Sequence, residues 1–308
     1  MKKLKKILFP TDFSRCANQA LGRAFEMARQ FDAELHMLHA TVLHEDDPYH
    51  AGHHLSDSEE VQQRLRRTAL DEMDSLIRSY DATDLKVVKA QERGIAAASV
   101  ILEYCNDQDI DLVIMGTHGR RGLERLLLGS VAEEVVRTAP CPVMTVREQE
   151  APKSARAIER VLVPIDFSEH SKMALANAKE LAAVYGARIQ LLHVVEETVH
   201  PAFYVTGKSS IFELIPDILE KSKTALRELW SEVKGPEVAF ETHVVEGQAA
   251  RDIAKFADEN GADLIVISTH GLTGIEHFLV GSVTEKVVRL STVPVLTLKA
   301  FGKSLLDA

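Results

Sequence analysis

Pro10-Thr-Asp12-Phe-Ser14 returns as Pro164-Ile-Asp166-Phe-Ser168, 154 positions further along the chain. Leu38-His39 returns as Leu192-His193 at the same spacing, and Gly129-Ser130 returns as Gly281-Ser282 after 152. A spacing that drifts by only two residues marks a tandem duplication with small loop deletions. Whatever one half folds into, the other half folds into as well. The 308 residues suggest about two domains on length alone. The repeat predicts them at 1–147 and 158–301, joined by the charged, Pro- and Ala-containing segment 148–157.

Within each copy, short apolar runs alternate with longer segments of helical period. Ile7–Pro10 reads as a strand, followed by a helix over Arg15–Phe31 with Ala20, Leu21, Ala24, Ala28 and Phe31 on one face. The second copy places Ala174, Leu175, Ala178, Ala182 and Tyr185 at those positions. Strands are predicted next at Glu34–Ala40 and Arg188–Val194, then a polar helix over Glu59–Tyr80 or Pro216–Val233. Further strands are expected at Leu85–Ala90 and Ala239–Val245, and third helices at Ile95–Asn106 and Ala249–Asn260. The strand before a glycine loop, a fourth helix ending at Arg137 or Arg289, and a last strand at Val143–Val146 or Val295–Leu298 complete each copy. Alternation of this kind calls for right-handed crossovers and a parallel sheet covered on both faces. The predicted class is therefore α/β, as two tandem five-stranded parallel-sheet sandwiches of Rossmann-like type. In such sheets ligands bind beyond the carboxyl ends of the strands, where strand order reverses.

The loop after the fourth strand carries the chemistry. Leu112-Val-Ile-Met115 leads straight into Gly116-Thr-His-Gly119, and Gly129-Ser130 follows before the next helix. Glycine permits close backbone approach, and a helix start offers free N–H groups with a favourable dipole for an anion. Ser130-Val-Ala-Glu133 also has the form of a capping box, which predicts Ser130 as the helix cap. Free amides are expected from Gly129 to Ala132. The second copy repeats the device as Ser268-Thr-His-Gly271, then Gly281-Ser282 and a capping box ending at Glu285. In the second copy Ser268 replaces the first glycine, and Ile165 replaces Thr11 with loss of a hydroxyl. Arg120, Arg121 and Arg125 accompany the first loop, whereas Leu272, Thr273 and His277 stand in the second. The first loop is therefore expected to hold a polyphosphate more tightly.

Gly116-x-x-Gly119, nine residues, then Gly129-Ser130 resembles the nucleotide signature of the universal stress proteins. The opening Pro10-Thr-Asp12-x-Ser14 and the closing Pro140-Cys-Pro142-Val143 are similar to that family too, and the resemblance spans nearly the whole chain. It implies strand order 3-2-1-4-5 and an adenine nucleotide as ligand: ATP, AMP or ADP, with or without Mg2+. Position by position, it implies Asp12 and Ala40 near the adenine, with Pro10 and Thr11 also among the nucleotide-binding residues, and Met115 and Gly116 along the ribose and phosphate side. His118, Gly119, Arg120, Gly129, Ser130 and Val131 would surround the phosphates. In the second copy the implied residues are Pro164, Asp166, Val194, Ile267, Ser268, His270, Gly271, Gly281, Ser282 and Val283. The resemblance also implies pairing of domains about a pseudo-twofold axis, and allows a homodimer of tandem chains.

Other chemistry is weaker. The chain lacks Gly-x-x-x-x-Gly-Lys-Ser/Thr, and with it the lysine that supports phosphoryl transfer in P-loop enzymes. Slow ATP hydrolysis or self-phosphorylation at Ser130 stays open as an alternative, with no general base assigned. His44-Glu-Asp-Asp-Pro-Tyr-His50-Ala-Gly-His53-His54 offers ligands that suit zinc or nickel. The counterpart loop has only His200, so no metal site is assigned, and His44, His50, His53 and His54 stand as candidates only. A metal-responsive or scaffold protein with vestigial crevices is the remaining alternative. The net charge of −10 argues against nucleic acid as a partner. No apolar run approaches membrane-spanning length, and the basic start gives way to only three apolar residues before Pro10. Three cysteines at no metal-like spacing fit a reducing cytoplasm.

Overall fold

The computed structural model describes residues 4–42, 59–119, 128–149, 157–196, 212, 215, 217–269, 281–299 and 301–305. The chain divides into two compact units, Lys2–Arg156 and Ala157–Ala308. In the first unit β1 is Lys6–Pro10, α1 Arg15–Phe31, β2 Glu34–Val42, α2 Glu59–Ser79, β3 Val87–Gly94, α3 Ala97–Asp107, β4 Leu112–Gly116, α4 Ser130–Thr138 and β5 Val143–Val146. In the second, β6 is Arg160–Pro164, α5 Glu169–Tyr185, β7 Arg188–Glu196, α6 Ile218–Glu232, β8 Phe240–Gly247, α7 Ala249–Glu259, β9 Leu264–Ser268, α8 Ser282–Leu290 and β10 Val295–Leu298.

All pairings within each unit are parallel, and the strand order is β3-β2-β1-β4-β5 in one and β8-β7-β6-β9-β10 in the other. Strand order 3-2-1-4-5 thus holds twice. The reversal falls between β1 and β4, where Ile7 pairs with Leu112, and between β6 and β9, where Val161 pairs with Leu264. The central strands Leu8-Phe9 and Val113-Ile114 are buried, as a sheet covered on both faces requires. Ala20, Leu21, Ala24 and Ala28 of α1 are buried against them. Burying a large apolar side chain contributes about 1.5–3 kcal/mol, so the sheet centre and this helical face dominate the stability of the unit.

Two carboxylates fix the start of the central strands. Asp111 accepts from the backbone N–H groups of Lys5 and Lys6 at 2.9 and 3.1 Å. Its repeat, Asp263, accepts from Glu159 and Arg160 at 3.0 and 2.9 Å.

The edge strands run further than their apolar patterns suggested. β3 ends at Gly94 rather than Ala90, because the backbone of Ala40, Thr41 and Val42 pairs with Glu92, Arg93 and Gly94. Polar side chains are tolerated there since an edge strand is solvated on one side. α3 begins at Ala97, two residues later than expected, leaving Ile95 81% exposed. Among the described residues no side chain caps that helix.

Candidate functional site

The turn from β1 to α1 is built to present Asp12. Phe13 adopts a left-handed φ of 62°, unusual for a bulky residue and costing of order 1–3 kcal/mol. Three contacts hold it. The N–H of Phe13 donates to Thr11 Oγ1 at 3.0 Å, and the N–H of Ser14 donates to Asp12 Oδ1 at 3.0 Å. The ring of Phe13 packs on His39 at 4.9 Å, and His39 Nδ1 lies 2.8 Å from the Thr11 carbonyl, which requires the proton on Nδ1. Ser14 then caps α1 by accepting from Ala17 N–H. The second unit repeats this with Phe167 at φ 64°, His193 against Ile165 O at 2.8 Å, and Ser168 capping α5. Thr11 is 5% exposed and its hydroxyl serves the Phe13 turn. Ile165 therefore changes how the turn is held, with Ser168 Oγ donating to Asp166 Oδ1 at 2.6 Å instead.

The glycine loop departs from expectation in one instructive way. Gly129, and not Ser130, is the cap of α4; its φ of −67° and ψ of 145° are extended, and no side chain bonds the first turn. The N–H of Gly129 donates to Thr117 O at 2.8 Å, closing the loop. The free amides are thus those of Ser130, Val131 and Ala132, three of the four expected, with that of Gly129 taken by the loop closure. A capping box needs the serine outside the helix, so here Ser130 sits inside it, exposed and with no hydroxyl partner among the described residues. Gly281 repeats the arrangement, donating to Thr269 O at 2.6 Å ahead of Ser282.

Gly119 approaches Asp12 so closely that a Cβ would meet Oδ2. At Gly116 the space is taken differently, since a Cβ would lie 2.8 Å from Cys16 Sγ and 3.2 Å from Ala17 N. The missing side chain at Gly116 is explained by packing against α1. In the second unit His170 stands at the Cys16 position by repeat spacing, and Ser268 is accommodated at 7% exposure. His118 is tied back from the loop, its Nδ1 3.1 Å from Thr117 Oγ1 and its Nε2 3.4 Å from Glu148 Oε2. Glu148 is bridged to Arg15 of α1 at 3.4 Å, a pairing that the sequence separation concealed.

In the second unit Pro164, Asp166, Val194, Ile267, Ser268, Gly281, Ser282 and Val283 line one crevice of about 410 Å³. Ile165, His193 and Thr284 border it too, and Thr284 Oγ1 donates to Ser268 O at 2.7 Å. The volume lies in the ordinary range for small-molecule sites, with apolar walls and a few converging polar groups. The corresponding first-unit residues Pro10, Thr11, Asp12, Ala40, Met115, Gly116, Gly129, Ser130 and Val131 occupy the same places at the ends of β1, β2 and β4 and the start of α4. Arg120, His270 and Gly271 lie outside the described residues, as do His44, His50, His53 and His54. Among the described residues no group of three or more His, Cys, Asp or Glu is placed to hold a metal. No helix of the described residues is long and apolar enough to cross a membrane.

The sequence pattern of the Universal stress protein family matches the chain twice, over residues 3–147 and 157–299. The chain belongs to the universal stress protein family. A universal stress protein of Methanocaldococcus jannaschii is 31% identical over 144 residues, 47% of this chain and 82% of that one. Universal stress protein YxiE of Bacillus subtilis is 32% identical over 145 residues, 46% of this chain and 98% of its own. The crystal structure of a universal stress protein from Archaeoglobus fulgidus has the same fold along the whole tandem chain, with a TM-score of 0.70. It is 21% identical and the match covers 96% of this chain and 99% of that one. Two universal stress protein units in one chain are therefore the organisation of this family member.

Proposed function

We propose that the two crevices bind an adenine nucleotide, ATP or its mono- or diphosphate, as a regulatory ligand in a cytoplasmic stress response. The observation that carries this reading is the second-unit crevice, whose walls bring together Asp166, Val194, Ile267 and the Gly281-Ser282-Val283 helix start. Asp166 sits where a donor on the base or ribose would meet it, and the first-turn amides of α8 face an anion with the favourable end of the helix dipole. An acidic tail and an apolar ring fit the two ends of such a space. The first unit supplies the same amides at Ser130, Val131 and Ala132 and keeps Gly119 against Asp12. With three arginines in its loop sequence, the first crevice is the tighter of the two in this reading.

Regulation is favoured over turnover because the chain lacks the P-loop lysine that would neutralise charge on the terminal phosphates. A cytoplasmic setting agrees with three free cysteines, Cys16, Cys105 and Cys141, all buried. The test is direct. Purified protein, denatured and analysed by mass spectrometry, should release ATP or a related nucleotide. Added ATP at about 100 times its Kd should stabilise the fold by about 2.7 kcal/mol, seen as a rise in Tm. Released ADP with a phosphate on Ser130 would replace the ligand reading with self-phosphorylation. No nucleotide and no calorimetric heat would overturn it.

A further inference from the structure

A neighbouring cavity of about 470 Å³ opens between the first turns of α7 and α8 and shares Glu196, Ala249, Ser282 and Val283 with the second-unit crevice. The two cavities adjoin along these shared residues, and the neighbouring one forms an outer lobe. The walls of the outer lobe carry Arg251 and Lys286, which have no hydrogen-bond or ion-pair partner among the described residues. Glu196 is the one carboxylate lining this lobe among those residues, so a positive balance remains. Lys286 lies one turn beyond Ser282 on α8. A helical side chain leans toward the N-terminus of its helix, and this carries the ammonium of Lys286 toward the first-turn amides.

Nothing equivalent stands in the first unit. By the repeat spacing of 152, Lys286 corresponds to Glu134 and Arg251 to Ser99. The first unit instead carries Arg120, Arg121 and Arg125 in its loop, where the second has Leu272, Thr273 and His277. In sequence the first copy carries its cations between Gly119 and Gly129, whereas Arg251 and Lys286 of the second lie on α7 and α8.

We propose that the outer lobe receives the terminal phosphates of a nucleoside triphosphate, so that the second unit selects triphosphate over monophosphate through Lys286 and Arg251. This rests on the nucleotide reading of the crevice itself. A monophosphate would reach only the amides of Ser282 and Val283, whereas a longer tail continues into the lobe and meets both cations. The selectivity is then a property of charge on two helices, separable from the base and ribose contacts.

The experiment uses the full chain carrying Gly129→Val, which closes the first crevice, titrated calorimetrically with ATP and with AMP in EDTA. ATP is expected to bind the second unit about tenfold or more tighter than AMP, a preference that shrinks as salt screens the exposed cations. Lys286→Glu, which installs the first unit's residue, and Arg251→Ala should each weaken ATP by about three- to tenfold and AMP by clearly less, so that the preference for ATP shrinks. Both positions are exposed on helices, so a thermal melt separates misfolding from lost binding. Equal affinity for ATP and AMP in the parent, or variants that weaken both nucleotides alike, would overturn the proposal. Absence of heat with AMP as well as ATP would remove the crevice reading and this inference with it.

Discussion

No side chain fits at Gly119, because a Cβ there would meet Oδ2 of Asp12. The other carboxylate oxygen of Asp12 is held by the N–H of Ser14 at 3.0 Å, so Asp12 cannot swing away without breaking the turn that carries Phe13. Gly119→Ala should therefore displace Asp12 from the place it holds beside the proposed nucleotide site. Losing one hydrogen bond of about 1–1.5 kcal/mol corresponds to about a tenfold weaker nucleotide affinity in the first unit. Calorimetry in a Gly281→Val background, with the second crevice blocked, isolates that site. Unchanged affinity would show that Asp12 makes no contact with the ligand.

Gly129→Val should act more severely. A Cβ at Gly129 would sit 3.2 Å from Thr117 O and 3.3 Å from His118 Cα, both backbone atoms that the loop closure holds in place. The β-branch adds bulk where neither neighbour yields, at an overpacking cost of about 1–3 kcal/mol. The first crevice is expected to lose its nucleotide, and the stoichiometry to fall to one per chain. Full first-unit affinity in this variant would contradict the helix-start reading of the phosphate site.

Much of this was legible before any coordinates, and the reasons differ by element. The repeat alone made each expectation testable twice, and the α1 bounds at Arg15 and Phe31 followed from Ser14 and the apolar face. Of the amides expected free from Gly129 to Ala132 only that of Gly129 is taken, because Ser-x-x-Glu marks a box only when the serine stays outside the helix. Here Gly129 takes that place and gives up its own N–H to Thr117 O. The structural part that Thr11 plays is not legible in the motif, since its hydroxyl accepts from the Phe13 N–H of its own turn. Arg251 and Lys286 were missed because they sit on separate helices, outside any motif. The signal existed: Ser99 against Arg251 and Glu134 against Lys286 are differences between the two copies that a repeat alignment displays.

Lys179 is a buried cation whose removal should be felt in the second unit. It is 3% exposed, donates from Nζ to Trp230 O at 2.8 Å and Val233 O at 2.6 Å, and lies 4.0 Å from the Trp230 ring centroid. Burial pushes its pKa below the usual lysine value, yet the two carbonyls at the end of α6 have it as their donor. Lys179→Met keeps the volume and strips both bonds, leaving buried acceptors unsatisfied at about 1–3 kcal/mol. Chemical denaturation should show that loss with the first unit's transition unmoved; a stability equal to the parent would mean that water replaces the ammonium.

The last prediction concerns acid. His36 is 2% exposed on β2, with Nδ1 2.9 Å from the Tyr104 hydroxyl and Nε2 2.8 Å from Glu34 Oε1. Burial lowers its pKa below 6.5; Glu34 opposes this, but its carboxylate is 38% exposed and screened by water, so burial prevails. Tyr104, pushed up to about 12 by burial and by the nearby Glu92 and Glu34, stays protonated and donates to Nδ1. The neutral imidazole then donates from Nε2 to Glu34. Because the folded pKa lies below the unfolded one, the unfolded chain binds the proton first as pH falls. The stabilisation from neutral His36 is therefore present above about pH 6.5 and is lost as pH drops from there toward the folded value. The second unit has Gln190 at this position, 5% exposed, which supplies a donor and an acceptor without titrating. His36→Gln should accordingly flatten the first unit's loss of Tm between about pH 7 and 5, relative to the parent. The difference between the two curves removes the contribution of the other histidines. Parallel curves would show that His36 titrates alike in the folded and unfolded chain, its pairing with Glu34 cancelling its burial, and a parent that loses less Tm in acid than the variant would show that the pairing outweighs burial.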